Sequence, residues 1–205
     1  MRTSSQKANH AMREPSRKRG HERVAALLNA AASCFVEKGY DAVTLTEIAA
    51  RAGASIGSLY QFFPTRAALV HALLTDYAEA LYARLADLAA DAETWGTDQL
   101  ATQLIGFLVL FRRRYPAFAV LAESASLPAS YGMAIRKRLR AELQALLRQK
   151  SPEMPVATLR AATVVVQQLM KAALAINAEP GLPDRKNALA QLEHALQLYL
   201  RSVLL

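Results

Sequence analysis

The stretch that most constrains this chain is TLTEIAARAGASIGSLYQFFPTR, Thr44 to Arg66, which spells two short helices joined by a tight turn. Thr44 stands three residues before Glu47 and just ahead of the apolar pair Ile48 and Ala49, the pattern of a capping box that opens a helix. Gly53 predicts the end of that helix, since glycine takes the left-handed conformation of a helix terminus without side-chain strain. Ser55 then predicts the N-cap of a second helix of about eight residues. Gly57 lies inside this second helix at a cost of about 1 kcal/mol relative to alanine. Ser55, Ser58, Tyr60 and Gln61 put polar tips beside it, while Leu59 and Phe63, four apart, form its buried stripe.

A short helix that tolerates glycine and presents hydroxyls and an amide suits close approach to another molecule. In a helix-turn-helix the second helix enters the DNA major groove N-terminus first, so the residues after its cap meet base edges. A plain helical hairpin inside an all-helical protein would carry the same pattern.

Thr44, Ile48, Ala49, Gly53, Ser55, Gly57, Leu59, Tyr60, Phe63, Arg66 and Leu69 stand at the spacing of the TetR family of bacterial transcriptional regulators, which the chain resembles from about Arg23 to Tyr77. Beyond Tyr77 the resemblance is one of architecture. It implies an all-α fold: an N-terminal three-helix helix-turn-helix DNA-binding domain at 21–70, then a larger helical ligand-binding and dimerisation domain at 71–205. By position on the motif, Ile56, Gly57, Ser58 and Gln61 are candidates for base edges, Ile56 for a thymine methyl and Gln61 for adenine. Thr44, Thr46, Ser55, Tyr60 and Arg66 are candidates for the DNA backbone, which fixes register without conveying sequence. At the Arg66 position the family usually has lysine, and the substitution keeps the charge.

The formal net charge is +8, and it is unevenly placed. Six basic residues against Glu14 crowd the first 21 positions, whereas residues 22 to 70 balance. Residues 1–20 therefore predict a basic, disordered arm. Its Arg17, Lys18 and Arg19 are candidates for the adjacent minor groove. The single cysteine, Cys34, lies amid Ala31, Ala32 and Phe35, which predicts a buried thiol and excludes a disulfide within the chain. No run of 18 apolar residues appears, and the basic N-terminus lacks a signal-peptide core, so the expectation is a cytoplasmic protein with no membrane partner. His10, His21, His71 and His194 are scattered, and no phosphate loop or nucleophile elbow occurs. Neither an enzyme nor a metal or cofactor site is expected.

Apolar periodicity predicts a helix from about His21 to Lys38 and a long one from Arg66 to about Asp91, roughly 39 Å. The long helix would belong to both domains and could carry a tilt between them. Five more helices follow, broken at Trp95–Thr97, Pro116, Pro128, Ser151–Pro155 and Pro180–Pro183.

The family resemblance implies a small apolar or amphipathic effector held among the middle helices. Phe107, Phe111, Tyr115, Phe118, Tyr131, Met133 and Met170 are candidates to line its cavity, with Glu123 and Gln167 as polar groups needing a partner. The same stripe of large residues would serve as ordinary core. In the last two helices Leu159, Val166, Leu169, Ala173, Leu189, Leu192, Leu196, Tyr199 and Val203 recur in steps suited to a bundle seam. The resemblance implies a four-helix bundle with a twin subunit. That would set two recognition helices one DNA turn apart for a palindromic operator. The alternative function is an effector-independent, TetR-like architectural or division-control DNA-binding protein.

Overall fold

The computed structural model describes residues 13 to 204. These form α1 (Arg13–Ala42), α2 (Leu45–Arg51), α3 (Ile56–Phe62), α4 (Arg66–Asp91), α5 (Thr97–Arg114), α6 (Pro116–Glu123), α7 (Ala129–Lys150), α8 (Val156–Ala178) and α9 (Arg185–Leu204), with a 3-10 turn at Ala92–Thr94. No strand occurs among the described residues. They divide into two compact units: the described residues up to Thr75 with Glu123–Ser126, and Asp76–Ala122 with the chain from Leu127 onward. The single helix α4 starts in the first and ends in the second.

The first unit is assembled by local signals that agree with one another. α1 begins at Arg13, eight positions earlier than the apolar pattern suggests, and Pro15 falls in its first turn where a missing N–H costs nothing. The part of the expected arm at residues 1 to 12, and the Arg17 side chain, lie outside the described residues. α1 turns at Gly39, whose φ of 77° lies in the left-handed region. The capping box of α2 is complete, with the Thr44 hydroxyl accepting from Glu47 N and the Glu47 carboxylate accepting from Thr44 N. Gly53, at φ 61°, makes the turn into α3, and Ser55 caps α3 by accepting from Ser58 N at 3.1 Å. Thr65 caps α4 through Ala68 N at 3.0 Å. Leu27, Ala31, Phe35, Ile48, Leu59, Phe63 and Leu69 are buried together as the core of this unit.

In the second unit α5 packs against α8 and α9, α8 against α9, and α7 against α8. Leu81, Leu85, Leu100, Leu104, Leu143, Leu159, Val166, Met170, Leu196 and Leu200 form its core. The ends of this core are tied by polar contacts: Arg201 pairs with Asp98 across α9 and α5, and the Lys150 ammonium donates to the carbonyls of Ala92 and Trp95, each at 2.8 Å.

Candidate nucleic-acid interface

In the first unit α2 and α3 turn their apolar sides inward and leave a polar face outside. Ile48, Ala49 and Leu59 are buried, whereas Thr46, Ser55, Ile56, Gly57, Tyr60 and Gln61 are exposed. Ser58 is half-buried. The Gln61 amide makes no hydrogen bond within the described residues, so both its donor and its acceptor are free for a base edge. Ser55 spends one lone pair on its cap and keeps its O–H to donate to a phosphate oxygen. Thr44 differs: its hydroxyl accepts from Glu47 N and donates to the Glu47 carboxylate, so the capping box occupies it and leaves little for DNA. Lys18 and Arg19 are exposed on α1. Phe62, which sequence reasoning passed over, is also exposed at 38%.

Gly57 differs from the turn glycines Gly39 and Gly53. A Cβ added to it would meet nothing within 4 Å, and its backbone is not left-handed. No contact among the described residues requires glycine at that place.

The pair is held to α1 by charge. The Arg51 guanidinium makes a fork with the Glu37 carboxylate, both bonds at 2.6 Å, and holds that carboxyl below its usual range. Lys38 donates to Glu47 at 2.5 Å; this bond, with the Thr44 N–H and hydroxyl behind it, pulls the Glu47 carboxyl from 4.5 to about 2. Arg23 reaches from α1 to the Gly53 carbonyl at 3.4 Å. Cys34 is buried, and burial pushes its thiol up, away from the reactive thiolate.

The second unit contains a cleft of about 770 Å³ between α4 and α5. Phe107, Phe111 and Tyr115 line it as expected, joined by Leu88, Trp95 and Leu110. Arg84, Asp87, Asp91 and Arg114 add charge at its edges. The spacing of Arg84, Asp87 and Asp91 along one helical face was the available signal. The other expected residues lie elsewhere. Phe118 is half-buried and packed edge-on against Phe111 at 5.5 Å and Tyr77 at 6.2 Å. Tyr77, desolvated there, has its hydroxyl pushed up to about 12. Met170 is fully buried, Met133 is exposed, and Tyr131 is half-buried outside the cleft. Gln167 is buried but has both partners: its Oε1 accepts from Arg140 Nε at 2.9 Å and its Nε2 donates to Arg136 O at 3.1 Å. It fastens α8 to α7 and needs no ligand. The Glu123 side chain lies outside the described residues.

The residues expected in a twin-subunit seam divide into two sets. Leu159, Val166, Ala173 and Leu196 are buried in the core of their own unit, and Leu169, Leu189, Leu192, Tyr199 and Val203 pack against that core from its edge. Heptad-like spacing finds the stripe but cannot say whether the facing helix belongs to the same chain. The exposed large apolar residues of these helices are Val156, Val164 and Val165 on α8 and Leu198 on α9, among exposed polar ones such as Arg160, Lys171 and His194. By length and mean hydropathy α8 is the one described helix apolar enough to cross a membrane, yet only 39% of that stretch is buried within the chain.

Residues 27–73 match the family model described as bacterial regulatory proteins, tetR family. Over this stretch the chain resembles the TetR family. An uncharacterized HTH-type transcriptional regulator of Mycobacterium bovis is 44% identical over 55 residues, 27% of this chain and 29% of that one. A second such regulator, from Mycobacterium tuberculosis, is 37% identical over 75 residues, 37% of this chain and 36% of that one. The chain thus spans about a third of the length of the curated relatives it matches. The crystal structure of a TetR-family transcriptional regulator from Streptomyces coelicolor superposes with a TM-score of 0.63 at 23% identity, covering 88% of this chain and 99% of that one. The transcriptional regulator FadR of Bacillus subtilis, in complex with stearoyl-CoA, gives 0.64 at 15% identity, covering 84% and 96%. At these identities the two structures speak to the fold: the TetR helix-turn-helix unit followed by a helical unit, all-α throughout the described residues. Within this domain the Arg66 guanidinium lies against Tyr40, Asp41 and Val43.

Proposed function

We propose that the chain is a homodimeric transcriptional regulator that represses by occupying a palindromic DNA site and leaves it when a small amphipathic effector binds. The observation that carries the DNA reading is Gly57. Glycine inside an exposed helix costs about 1 kcal/mol relative to alanine, and no contact among the described residues needs it. A partner whose surface comes within a side chain's width of the helix supplies the reason, and a major-groove floor is such a surface. Ile56, Ser58 and Gln61 flank that approach; Thr46, Ser55 and Tyr60 hold phosphates, and Lys18 and Arg19 add charge beside them.

The exposed Val156, Val164, Val165 and Leu198 support dimerisation through the outer sides of α8 and α9. Each apolar group covered there gains about 25 cal/mol per Å². The cleft between α4 and α5 supports an amphipathic effector: Arg84 and Arg114 suit an anionic group, and Trp95, Phe107 and Phe111 an apolar body. The stearoyl-CoA held by the Bacillus subtilis regulator is a ligand of that kind. Because α4 lines the cleft and also begins the Arg66 end of the TetR unit, it can carry the change. A coupling of about 1 to 3 kcal/mol changes DNA affinity 5- to 150-fold.

The experiment is to select duplexes from a randomised library with the purified full chain and sequence them. Two inverted half-sites about one helical turn apart are expected; recovery of unselected sequence would end the reading. On the selected site Tyr60→Phe should weaken all variants alike, whereas Gln61→Ala should relax preference at one base pair by about 1 to 3 kcal/mol.

A further inference from the structure

Arg66 is the most heavily engaged side chain of the TetR unit, and its contacts are internal. Its guanidinium carbon lies 3.9 Å from the centre of the Tyr40 ring. Its Nη1 donates to Val43 O at 3.1 Å and to Asp41 O at 3.5 Å, and Nη2 stands 3.8 Å from the Asp41 carboxylate. Tyr40 rests in turn on the fully buried Phe35, ring centres 5.8 Å apart.

A cation in the first turn of a helix faces the positive end of its dipole and is unfavourable there by itself. The acceptors that offset this are at the end of α1, where helix carbonyls lack intrahelical partners. Stacking and donating at once requires a planar fork, which arginine has and lysine lacks. The chain topology gives the contact its meaning. Val43 directly precedes Thr44, the cap of α2, and Arg66 comes four residues after the last residue of α3. The Arg66–Val43 bond therefore joins the two ends of the segment that contains the whole α2–α3 pair.

We propose that Arg66 is a positioning residue for DNA recognition: it fastens the base of the α2–α3 loop through Tyr40 and Val43, and takes no phosphate itself. This rests on the DNA-binding reading above. The clip holds α3 at one angle before DNA arrives, so binding does not have to order it.

The test measures binding of the full chain to the duplex it selects, across a salt series. Arg66→Gln should weaken binding about tenfold at every salt concentration. The slope of log affinity against log salt should stay that of the wild type. Tyr40→Leu should give the same loss, the double variant no further loss, and Tyr40→Phe, which keeps the ring, near wild-type binding. Arg66→Lys, the variant least able to disturb folding, should fail to restore affinity. A phosphate contact predicts the opposite: the slope of Arg66→Gln falls by about 0.9, Arg66→Lys binds like wild type, and Tyr40→Leu is neutral or additive. Those results would overturn the positioning role while leaving DNA binding intact. Wild-type protein that retains no duplex would overturn the DNA reading, and this role with it.

Discussion

The α2–α3 pair and the α8–α9 pair are both helical hairpins with an apolar and an outward face, yet their outward faces differ in kind. In α2–α3 the exposed side chains are mostly small or polar and have unspent hydrogen-bonding capacity, as Gln61 and Ser55 do. In α8–α9 they include Val156, Val164, Val165 and Leu198, which have none. A polar face with free donors invites a polar partner such as duplex DNA; an apolar face invites another apolar face. One chain thus carries two docking chemistries, and substitutions can separate them.

The sharpest separation is between neighbours on α9. Leu196 is fully buried, and Leu196→Arg should unfold the second unit, costing more than about 4 kcal/mol because an unpaired charge enters the core. Leu198 is 51% exposed, and Leu198→Arg together with Val164→Arg should leave the helical circular dichroism unchanged. Sedimentation should then show a monomer, with operator affinity largely lost. A folded dimer in that variant would break the comparison from the apolar side.

Gly57→Ala probes the polar side. The substitution should raise thermal stability by about 0.5 to 1 kcal/mol, since alanine is the better helix former and open space surrounds the new methyl. DNA affinity should fall at the same time. A gain in stability with unchanged DNA affinity would mean that nothing approaches this helix closely.

A smaller effect concerns the ion pairs that seat α2. The Glu47 carboxyl ionises near 2 in the folded chain against an ordinary 4.5, so the unfolded chain takes up its proton first. The stability it lends is complete above about pH 4.5 and is lost as pH falls towards 2. Glu47→Gln should flatten the pH dependence of the unfolding midpoint in that window. A wild-type midpoint that does not fall between pH 5 and 2 would remove Glu47 and its partners from this role. The effect is modest, because the Lys38–Glu47 pair is exposed to solvent.

The two hairpins also differ in how far their sequence could be read. Thr44, Glu47, Gly53 and Ser55 act on their nearest neighbours through backbone caps and turns, so their meaning is written within a few residues of each. The first turns of α1 carry no such signal, because Arg13–Gly20 is polar and has no apolar period to reveal a helix. Leu196 and Leu198 lie two residues apart on one helix, and spacing alone ranks neither as core or interface. Gln167 looked like a ligand's partner until Arg136 and Arg140 stood beside it.

Sequence by itself determined the helix-turn-helix, its caps and the all-helical class, because those depend on short-range backbone chemistry. Tertiary structure alone decided which residues of α8 and α9 enter the core, that Phe118 packs on Phe111 and Tyr77 while the cleft opens between α4 and α5, and that Arg66 turns inward. Each of these depends on which surfaces meet across long separations in the chain, and a one-dimensional pattern does not carry that information.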